Sequence, residues 1–163
     1  MAKNKAEKTN VMGVLEQKKI AYSAHTYPHE GGMEVDGVTV AQSMGFDPAI
    51  VFKTLVARGA SKQYYVFDVP VAENLDLKKA AKAVGEKSIE MIHQKELLPL
   101  TGYVHGGCSP VGMKKLFPTV FHSSAENLAA MIVSAGKIGY QVELAPRDLA
   151  ALVRASFADL VAE

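Results

Sequence analysis

Hydrophobic residues recur along the chain with two different periods. Val11, Val14 and Leu15 follow the helical period after Thr9, which predicts an amphipathic helix near residues 7–18. Elsewhere, short apolar runs bounded by glycine, proline, asparagine or aspartate predict strands. The predicted strands cover residues 21–27, 50–57, 63–70, 88–91, the neighbourhood of 120–121, 128–134 and 138–144.

Caps and helix breakers predict the helices between these strands. Asp76 can accept backbone N–H groups at the start of a helix that runs to Val84, and Gly85 can end it. Pro146 suits the first turn of a last helix. The other predicted helices cover residues 39–44, closed by Gly45, and residues 94–98, ended by Pro99.

The order of these elements predicts the fold class. Hairpin turns are expected at residues 58–61 and 135–137, and a loop at residues 29–37. Hairpins interleaved with helices indicate an α/β fold with a mixed, largely antiparallel sheet and flanking helices. The sequence contains no internal repeat, linker or low-complexity tract, so residues 1–163 are predicted to form one domain.

Composition narrows the class of protein further. The 163 residues are 48% hydrophobic and 21% charged, with a formal net charge of +1, so no global field favours a membrane or DNA as partner. Cys108 is the single cysteine, which excludes an intrachain disulfide and favours a reducing compartment. The sequence has neither the apolar run of a signal peptide nor a stretch of 18 apolar residues. We therefore expect a cytoplasmic protein.

Two features indicate a polar site within an apolar scaffold. Lys53 lies inside the apolar run 50–56, and burying an ammonium is costly unless it has a partner. The glycine-rich loop 106–112 can expose backbone N–H groups that hold an anion or a polarised carbonyl. The alternative is an edge-strand lysine that reaches water and a loop that is only a turn.

The usual catalytic signatures are absent from the sequence. It contains no HExxH helix, GxSxG elbow, Walker loop or dinucleotide fingerprint, so we expect neither a metal nor a cofactor. His25 and His29 are four residues apart, but Pro28 interrupts a helix there, which favours surface positions over a shared metal. Cys108 could be a nucleophile with His105 nearby, although a catalytic thiol needs a lowered pKa. The favoured interpretation is a non-catalytic cysteine.

Lysines form short clusters in the sequence. Such runs are usually solvated faces, but here they flank the candidate loops, so a rim that binds phosphate is a second interpretation. No aromatic RNA-binding motif accompanies them, which limits any contact to the end of a strand. The clustered residues are Lys78, Lys79, Lys82, Lys87, Lys114 and Lys115, with Lys137 and Arg147 beside the last hairpin.

Five fragments in order and register carry a family resemblance. The chain resembles the YbaK/EbsC family of bacterial Cys-tRNA(Pro)/Cys-tRNA(Cys) deacylases, which is related to the editing domain of prolyl-tRNA synthetase. The resemblance extends over essentially the whole chain. The fragments are His25-Thr26-Tyr27, Val51-Phe52-Lys53-Thr54-Leu55, Leu75-Asp76-Leu77-Lys78-Lys79, Gly106-Gly107-Cys108-Ser109-Pro110 and Ser134-Ala135-Gly136-Lys137.

The resemblance implies trans-editing, the hydrolysis of cysteine wrongly esterified to tRNA(Pro). Its implied partners are the acceptor end of an aminoacylated tRNA and a complex with prolyl-tRNA synthetase, and it implies no cofactor. The catalytic residues that it implies are Lys53, Gly106 and Pro110. Those assigned to substrate binding are Tyr27, Thr54, Gly107, Ser109, Ser134 and Gly136.

Two departures from the family pattern concern specificity. Gln141 stands where better-known members carry an aspartate, and Asp36 stands where some carry an aromatic residue. In family members the thiol of the cysteine substrate is thought to attack its own carbonyl, which requires no protein nucleophile. The alternatives are a deacylase for another small amino acid such as alanine, and a non-catalytic module that binds aminoacyl-tRNA or a synthetase. A Schiff-base lysine enzyme ranks low because no phosphate-cofactor pattern is present.

Overall fold

Eight strands and five α-helices form the described part of the chain, residues 8–28 and 36–162 of a computed structural model. The strands are β1 (Ser23–Thr26), β2 (Phe52–Gly59), β3 (Tyr64–Pro70), β4 (Ile89–Met91), β5 (Thr119–His122), β6 (Met131–Ser134), β7 (Tyr140–Leu144) and β8 (Ser156–Ala158). The helices are α1 (Asn10–Gln17), α2 (Gly37–Ser43), α3 (Leu77–Val84), α4 (Gln94–Thr101) and α5 (Pro146–Val153).

The strands divide between two sheets. The larger has the order β4-β2-β3-β5-β8, in which β2 is antiparallel to β3 and β4, and β5 is parallel to β3 and β8. The smaller is antiparallel with the order β1-β7-β6. An isolated parallel bridge between Val51 and Ile132 joins the two sheets just before β2 begins. The predicted α/β class with mixed, largely antiparallel pairing is confirmed, and both predicted hairpins form.

Caps set the boundaries of α1 and α3; those of α3 are the predicted ones, whereas α1 begins at Asn10, later than the predicted start near residue 7. The Thr9 side chain accepts the backbone N–H of Met12 at the start of α1, and the Asp76 carboxylate accepts two N–H groups at the start of α3. Gly85 ends α3 in the left-handed conformation, with φ of 74°. Only the end of the loop predicted at residues 29–37 is described, where Asp36 caps α2.

The prediction that Pro99 ends the fourth helix is wrong. Proline removes one intrahelical hydrogen bond, yet α4 continues to Thr101. Two bonds close the last turn: the Thr101 hydroxyl donates to the Leu97 carbonyl at 2.7 Å, and the Gly102 N–H donates to the Leu98 carbonyl at 2.8 Å. Leu97 and Thr101 are both buried, so packing holds the turn that the proline weakens.

The larger sheet is covered on both faces. Val66 on β3 belongs to the main core, which also contains Leu15 of α1 and Met131 of β6. The next residue, Phe67, belongs to a second core with Ala80 of α3, because successive strand residues point to opposite faces. This explains why β2 and β3 are continuous apolar runs. None of the described helices is long and apolar enough to span a membrane.

Candidate active site

A pocket of about 200 Å³ lies where the beginning of β2 meets the smaller sheet. Its walls come from the end of β1, α2, β2, the loop that follows α4, β6 and β7. About half of the lining side chains are aliphatic or aromatic, so the polar groups of the pocket lie beside a large apolar surface. The apolar part of the lining consists of Val40, Val51, Phe52, Leu55, Val71 and Leu97.

Lys53, the second residue of β2, lines this pocket. Its side chain is partly buried, and this burial lowers the pKa of its ammonium, while the charge of Glu73 acts in the opposite direction. Lys53 is the only lysine or arginine among the described residues that line the pocket. It therefore supplies a localised positive charge to the pocket, whose described lining also contains one carboxylate, that of Asp36.

Thr54 follows on the same strand and connects the pocket to a buried carboxyl. Its hydroxyl donates a 2.5 Å hydrogen bond to Oδ1 of Asp68, which lies directly opposite on β3. Asp68 is fully buried, and that burial raises its pKa to about 7, although the bond from Thr54 acts to lower it. A titratable group therefore lies immediately behind a pocket-lining hydroxyl.

The glycine-rich loop is held by its own side chains and by the turn between β6 and β7. A methyl group added at Gly107 would lie 3.1 Å from the backbone nitrogen of Ile138, so any side chain there would require the two backbone segments to move apart. The Ser109 hydroxyl accepts the Val111 N–H at 3.2 Å, and the Tyr103 hydroxyl donates to the Val111 carbonyl. These contacts fix the loop as it passes the pocket.

The structure brings some of the predicted site residues to the pocket and places others behind it. Those that line it are Tyr27, Lys53, Thr54, Gly106 and Ser134. Those that do not are Gly107, Ser109, Pro110 and Gly136. This second group shapes the loops: Ser109 and Pro110 are buried, and the Gly136 N–H donates to the Ser134 hydroxyl at 3.1 Å. The catalytic and binding roles of both groups stay predictions.

Cys108 lines the pocket but lacks the properties of a nucleophile. Its side chain is 8% exposed, and burial, with a smaller effect from the charge of Asp68, raises the thiol pKa to about 12. Reactive cysteines have the opposite shift, because the thiolate is the attacking species. His105 also lines the pocket, but it leaves the thiol pKa high.

Sequence reasoning missed Asp68. The signal was available, because an aspartate inside the apolar run 64–70 is as unusual as Lys53 inside its own strand. Sequence reasoning also missed the contribution of α2, whose Val40 lines the pocket. The helix itself was predicted, but its place beside the pocket was not. Helix packing against a pocket leaves no local sequence signature.

Gln141 and Asp36, the two departures from the family pattern, both line the pocket. Gln141 lies on β7 opposite Ser134 and is 8% exposed, and its Oε1 has no hydrogen-bond partner among residues 8–28 and 36–162. Asp36 is exposed at the start of α2, where hydrogen bonds from the backbone and side chain of Thr39 lower its pKa. A residue of the pocket wall thus has a buried amide oxygen without a partner in the described part of the chain.

Apart from His105, the described histidines do not line the pocket, and neither do the clustered lysines. The part of the chain that is described holds no group of three side chains suited to a metal. His25 pairs with Glu143 at 2.8 Å, whereas His29 falls outside the described residues. Lys79 bonds Asp159 at 2.9 Å, and Lys114 donates to the Pro99 carbonyl at 3.4 Å.

The sequence pattern of the aminoacyl-tRNA editing domain family matches residues 31–152. The chain belongs to this family, and the class of protein is an aminoacyl-tRNA deacylase. A protein of Enterococcus faecalis (strain ATCC 700802 / V583) is 44% identical over 161 residues, 98% of each chain. That protein, EbsC, is described provisionally as a Cys-tRNA(Pro)/Cys-tRNA(Cys) deacylase.

Solved structures share the fold over nearly the full length. A crystal structure described provisionally as a trans-editing enzyme for prolyl tRNA synthetase has a TM-score of 0.79 and 26% identity, covering 94% of this chain and 95% of that one. The protein APE2540, with 20% identity, has a TM-score of 0.83 over 96% of this chain and 100% of its own. The second likeness establishes the fold alone.

Proposed function

We propose that this protein removes cysteine wrongly esterified to tRNA(Pro), acting in trans on the released aminoacyl-tRNA. The observation that carries the proposal is a small, partly apolar pocket with one lysine, Lys53, and one glycine-rich loop edge, Gly106, at its wall. The name of the Enterococcus relative supports the same substrate. A site built in this way can position an ester that is already reactive.

The size of the pocket suits a small amino acid. Its volume of about 200 Å³ lies below the roughly 300–1,000 Å³ of pockets that bind drug-sized ligands. Aliphatic walls favour a compact side chain and exclude water. Fit alone separates cysteine from alanine or serine by only about 1–3 kcal/mol, so the chemistry itself must add selectivity.

In this proposal the protein contributes position and charge, and the substrate contributes the nucleophile. The Lys53 ammonium orients the ester end or the terminal ribose phosphate, and the N–H groups of the glycine-rich loop hold the carbonyl oxygen as negative charge develops on it. Tyr27, Thr54 and Ser134 contact the bound aminoacyl group. A buried, high-pKa Cys108 has no covalent role.

The proposed bond changes balance without a protein nucleophile. The sulfur of the substrate cysteine attacks its own carbonyl carbon, a C–S bond forms, and the C–O bond to the terminal ribose breaks. The thiol proton ends on the ribose oxygen, which leaves as uncharged tRNA, and the other product is a four-membered thiolactone. Water then opens the thiolactone to free cysteine. Alanyl esters lack the sulfur and cannot follow this route.

The partners follow from the small extent of the site. A pocket of this size holds only the aminoacyl end of a tRNA, so selection of the tRNA requires another protein. We propose a complex with prolyl-tRNA synthetase, in the cytoplasm, and neither a cofactor nor a metal. The family resemblance supports this partner, as does the likeness to the structure described as a trans-editing enzyme for that synthetase.

One observation favours a second candidate, a deacylase for another small amino acid such as alanine. Gln141 lines the same pocket as the lysine and has a buried Oε1 without a partner among the described residues, so a water molecule bound to this side chain is the attacking group in this alternative. Hydrolysis by a bound water would not require a thiol in the substrate.

Deacylation of Cys-tRNA(Pro) and Ala-tRNA(Pro) tests both candidates. We expect rapid loss of cysteine alone, and a fall of about 100-fold or more in Lys53→Met, comparable to the removal of one electrostatic contact to a transition state. Lys18→Met, a change at an exposed lysine that does not line the pocket, is the matched control. The two substrates should be compared at equal tRNA concentration.

The outcomes separate the candidates. Deacylation of Ala-tRNA(Pro) as well as Cys-tRNA(Pro) would show that a bound water, and not the substrate thiol, is the nucleophile. The proposed role of Lys53 would be unaffected. Full activity of Lys53→Met would remove the central claim about the lysine. Binding of aminoacyl-tRNA without hydrolysis of either ester would identify a non-catalytic binding module instead.

A further inference from the structure

Asp68 is a buried acid to which the proposed chemistry gives no role. It lies on β3 between Thr54 of β2 and Phe121 of β5, with 0% of its surface exposed. A carboxyl in such a place costs free energy unless its oxygens are hydrogen bonded. Only Oδ1 has a partner, the Thr54 hydroxyl, and Oδ2 has none in the part of the chain that the structure describes.

The bond from Thr54 fixes which way its hydroxyl faces. A hydroxyl has one proton and two lone pairs, so when the proton points to Asp68 the lone pairs remain for other partners. Thr54 is partly exposed and lines the pocket. The group that it presents to a ligand is therefore an acceptor, held in orientation by a charge behind it.

A second acceptor belongs to Gln141, which lines the same pocket and whose buried amide oxygen would pair with a donor entering the pocket. Oε1 of Gln141 is buried and has no partner among residues 8–28 and 36–162, and the residue itself is 8% exposed. These two acceptor oxygens, in a pocket whose rim also carries the Asp36 carboxylate, favour a ligand group with several N–H donors and a positive charge. Every aminoacyl ester carries such a group, its α-ammonium.

We propose that Thr54 and Gln141 form a subsite for the α-ammonium of the aminoacyl group, and that Asp68 is a positioning residue that keeps the Thr54 hydroxyl facing the pocket as an acceptor. The inference rests on the proposed function for the identity of the ligand. It goes beyond that function because it assigns the amino end of the substrate to a place that is distinct from the ester end.

The charged neighbours of Asp68 allow this role. On the glycine-rich loop, Cys108 is close enough to be affected by the charge of Asp68, and burial keeps its thiol neutral. On β5 the residue paired with Asp68 is the uncharged Phe121. On β2, Thr54 is paired with Asp68, and the side chain of the preceding residue, Lys53, points to the other face of the sheet. Among the described residues, therefore, no cation neutralises the carboxylate, and its charge remains available to an ammonium beyond Thr54.

The protonation of Asp68 makes this arrangement sensitive to pH. Its pKa, raised to about 7 by burial, places the change near neutrality. Above that pH the Asp68 carboxylate accepts a hydrogen bond from the Thr54 hydroxyl, so the hydroxyl oxygen can accept a hydrogen bond from the ligand. Below it, a protonated Asp68 can donate to the Thr54 oxygen, which turns the hydroxyl proton towards the pocket and opposes an ammonium there.

The test measures binding, so that it does not depend on hydrolysis. The probes are 3′-deoxy-3′-(cysteinylamino)adenosine, an amide analogue of the charged tRNA end, and its 3-mercaptopropionyl counterpart, which lacks only the amino group. We expect wild type to prefer the first by about 10- to 100-fold at pH 8, the effect of one or two hydrogen bonds to a charged group. Thr54→Val should remove most of this preference, and Thr54→Ser should restore it.

Asp68→Asn separates positioning from structural support. The amide oxygen of asparagine can still accept a hydrogen bond from the Thr54 hydroxyl. The preference for the probe with the amino group should therefore stay within about threefold of wild type at pH 8. Between pH 8 and 6 the wild-type preference should fall by about tenfold, as the carboxylate is protonated, whereas Asp68→Asn should lose none. The probe's own amine, with a usual pKa of about 7.7–8.0, gains a proton over the same range. This change alone would strengthen the preference as pH falls.

Either of two results would overturn the inference. One is equal binding of the two probes by wild type at pH 8. The other is a Thr54→Val variant that weakens both probes by the same factor, which is the signature of a merely structural threonine. Failure of the proposed function is distinct, because it would be seen as intact Cys-tRNA(Pro) in the deacylation assay whatever the probes show.

Discussion

Lys53 and Thr54 are neighbours on β2, but their side chains leave opposite faces of the larger sheet. Phe52 and Val56, on the same face as Thr54, belong to the main core, whereas Leu55 packs against the second core. Both residues nevertheless line the pocket, because it opens at the beginning of the strand, beside Val51. One strand therefore delivers a cation and an acceptor to one small space from two directions.

The ionisation of Asp68 should make stability depend on pH. Its pKa is about 7 in the folded chain and near 3.8 when unfolded, so the folded state binds a proton between these values that the unfolded state does not. The free energy of unfolding should therefore rise as pH falls from 8 to 5, by about 2–3 kcal/mol from this group. Urea unfolding at the two pH values measures the effect.

Asp68→Asn should lose that pH dependence, since an amide does not titrate in this range. Asp148→Asn, at an exposed aspartate in the first turn of α5, is the matched control and should keep it. The same pH dependence in wild type and Asp68→Asn would show that the carboxyl is already charged in the folded protein at pH 5.

Cys108→Ala should remain active. The thiol is buried and its pKa is raised to about 12, so it contributes no thiolate, and deacylation of Cys-tRNA(Pro) should change by less than about threefold. Stability should fall by about 1 kcal/mol, because a buried sulfur is removed from the main core. Steady-state deacylation and urea unfolding measure the two effects. A loss of turnover without loss of folding would restore the nucleophile hypothesis.

At the scale of elements, the pocket depends on the contact between the glycine-rich loop and the β6–β7 turn. The backbone of Gly107 approaches Ile138 and Lys137 so closely that a methyl group would lie 3.1–3.4 Å from their backbone atoms. Backbone atoms cannot rotate away as a side chain can. Any larger residue must push the loop, and with it Gly106, away from its present place in the pocket wall.

Gly107→Ala should therefore reduce both stability and deacylation. We expect a loss of about 1–3 kcal/mol in the free energy of unfolding, the usual cost of overpacking, together with a lower kcat. Gly13→Ala is the control with the opposite sign. Gly13 lies inside α1 with nothing within 4 Å of an added methyl, so alanine should stabilise by about 0.5–1 kcal/mol. Urea unfolding of both variants checks the prediction.

Most elements could be predicted from the sequence because their signals are local. Asp76 and Gly85 mark the two ends of α3, and the apolar runs mark β2 and β3. The division into two sheets and the short strand β8 could not be predicted, since they depend on pairing between distant segments. The same holds for the site. Lys53 could be recognised from its own apolar strand, whereas the Thr54–Asp68 hydrogen bond depends on the register between β2 and β3, which the sequence does not show directly.

At the scale of the whole molecule, charge should govern how tRNA is approached. The formal net charge is only +1, and Lys53 is the single lysine or arginine among the described pocket-lining residues, so any attraction to phosphates must come from local clusters. Lys114 and Lys115, both exposed, follow the glycine-rich loop in sequence. They are candidates for contact with the acceptor stem.

Binding of uncharged tRNA should therefore weaken as salt rises. We expect the logarithm of the association constant to fall linearly with the logarithm of salt concentration, with a slope corresponding to only a few phosphate contacts. Replacing both Lys114 and Lys115 by glutamine should make the slope shallower by about 1–2, and Lys18→Gln should not. A slope near zero in wild type would show that the lysine clusters are only solvated faces.

The pairing of β1 with β7 has a consequence for how the protein is made. His25 and Glu143, which pair across these strands, are 118 residues apart, so β1 leaves the ribosome long before its only partner strand among the described elements exists. Until then its backbone groups are unpaired and the apolar face of α1 lacks much of its core. The nascent chain must therefore carry exposed apolar surface through most of its synthesis, which makes it a natural client for chaperones that bind at the ribosome.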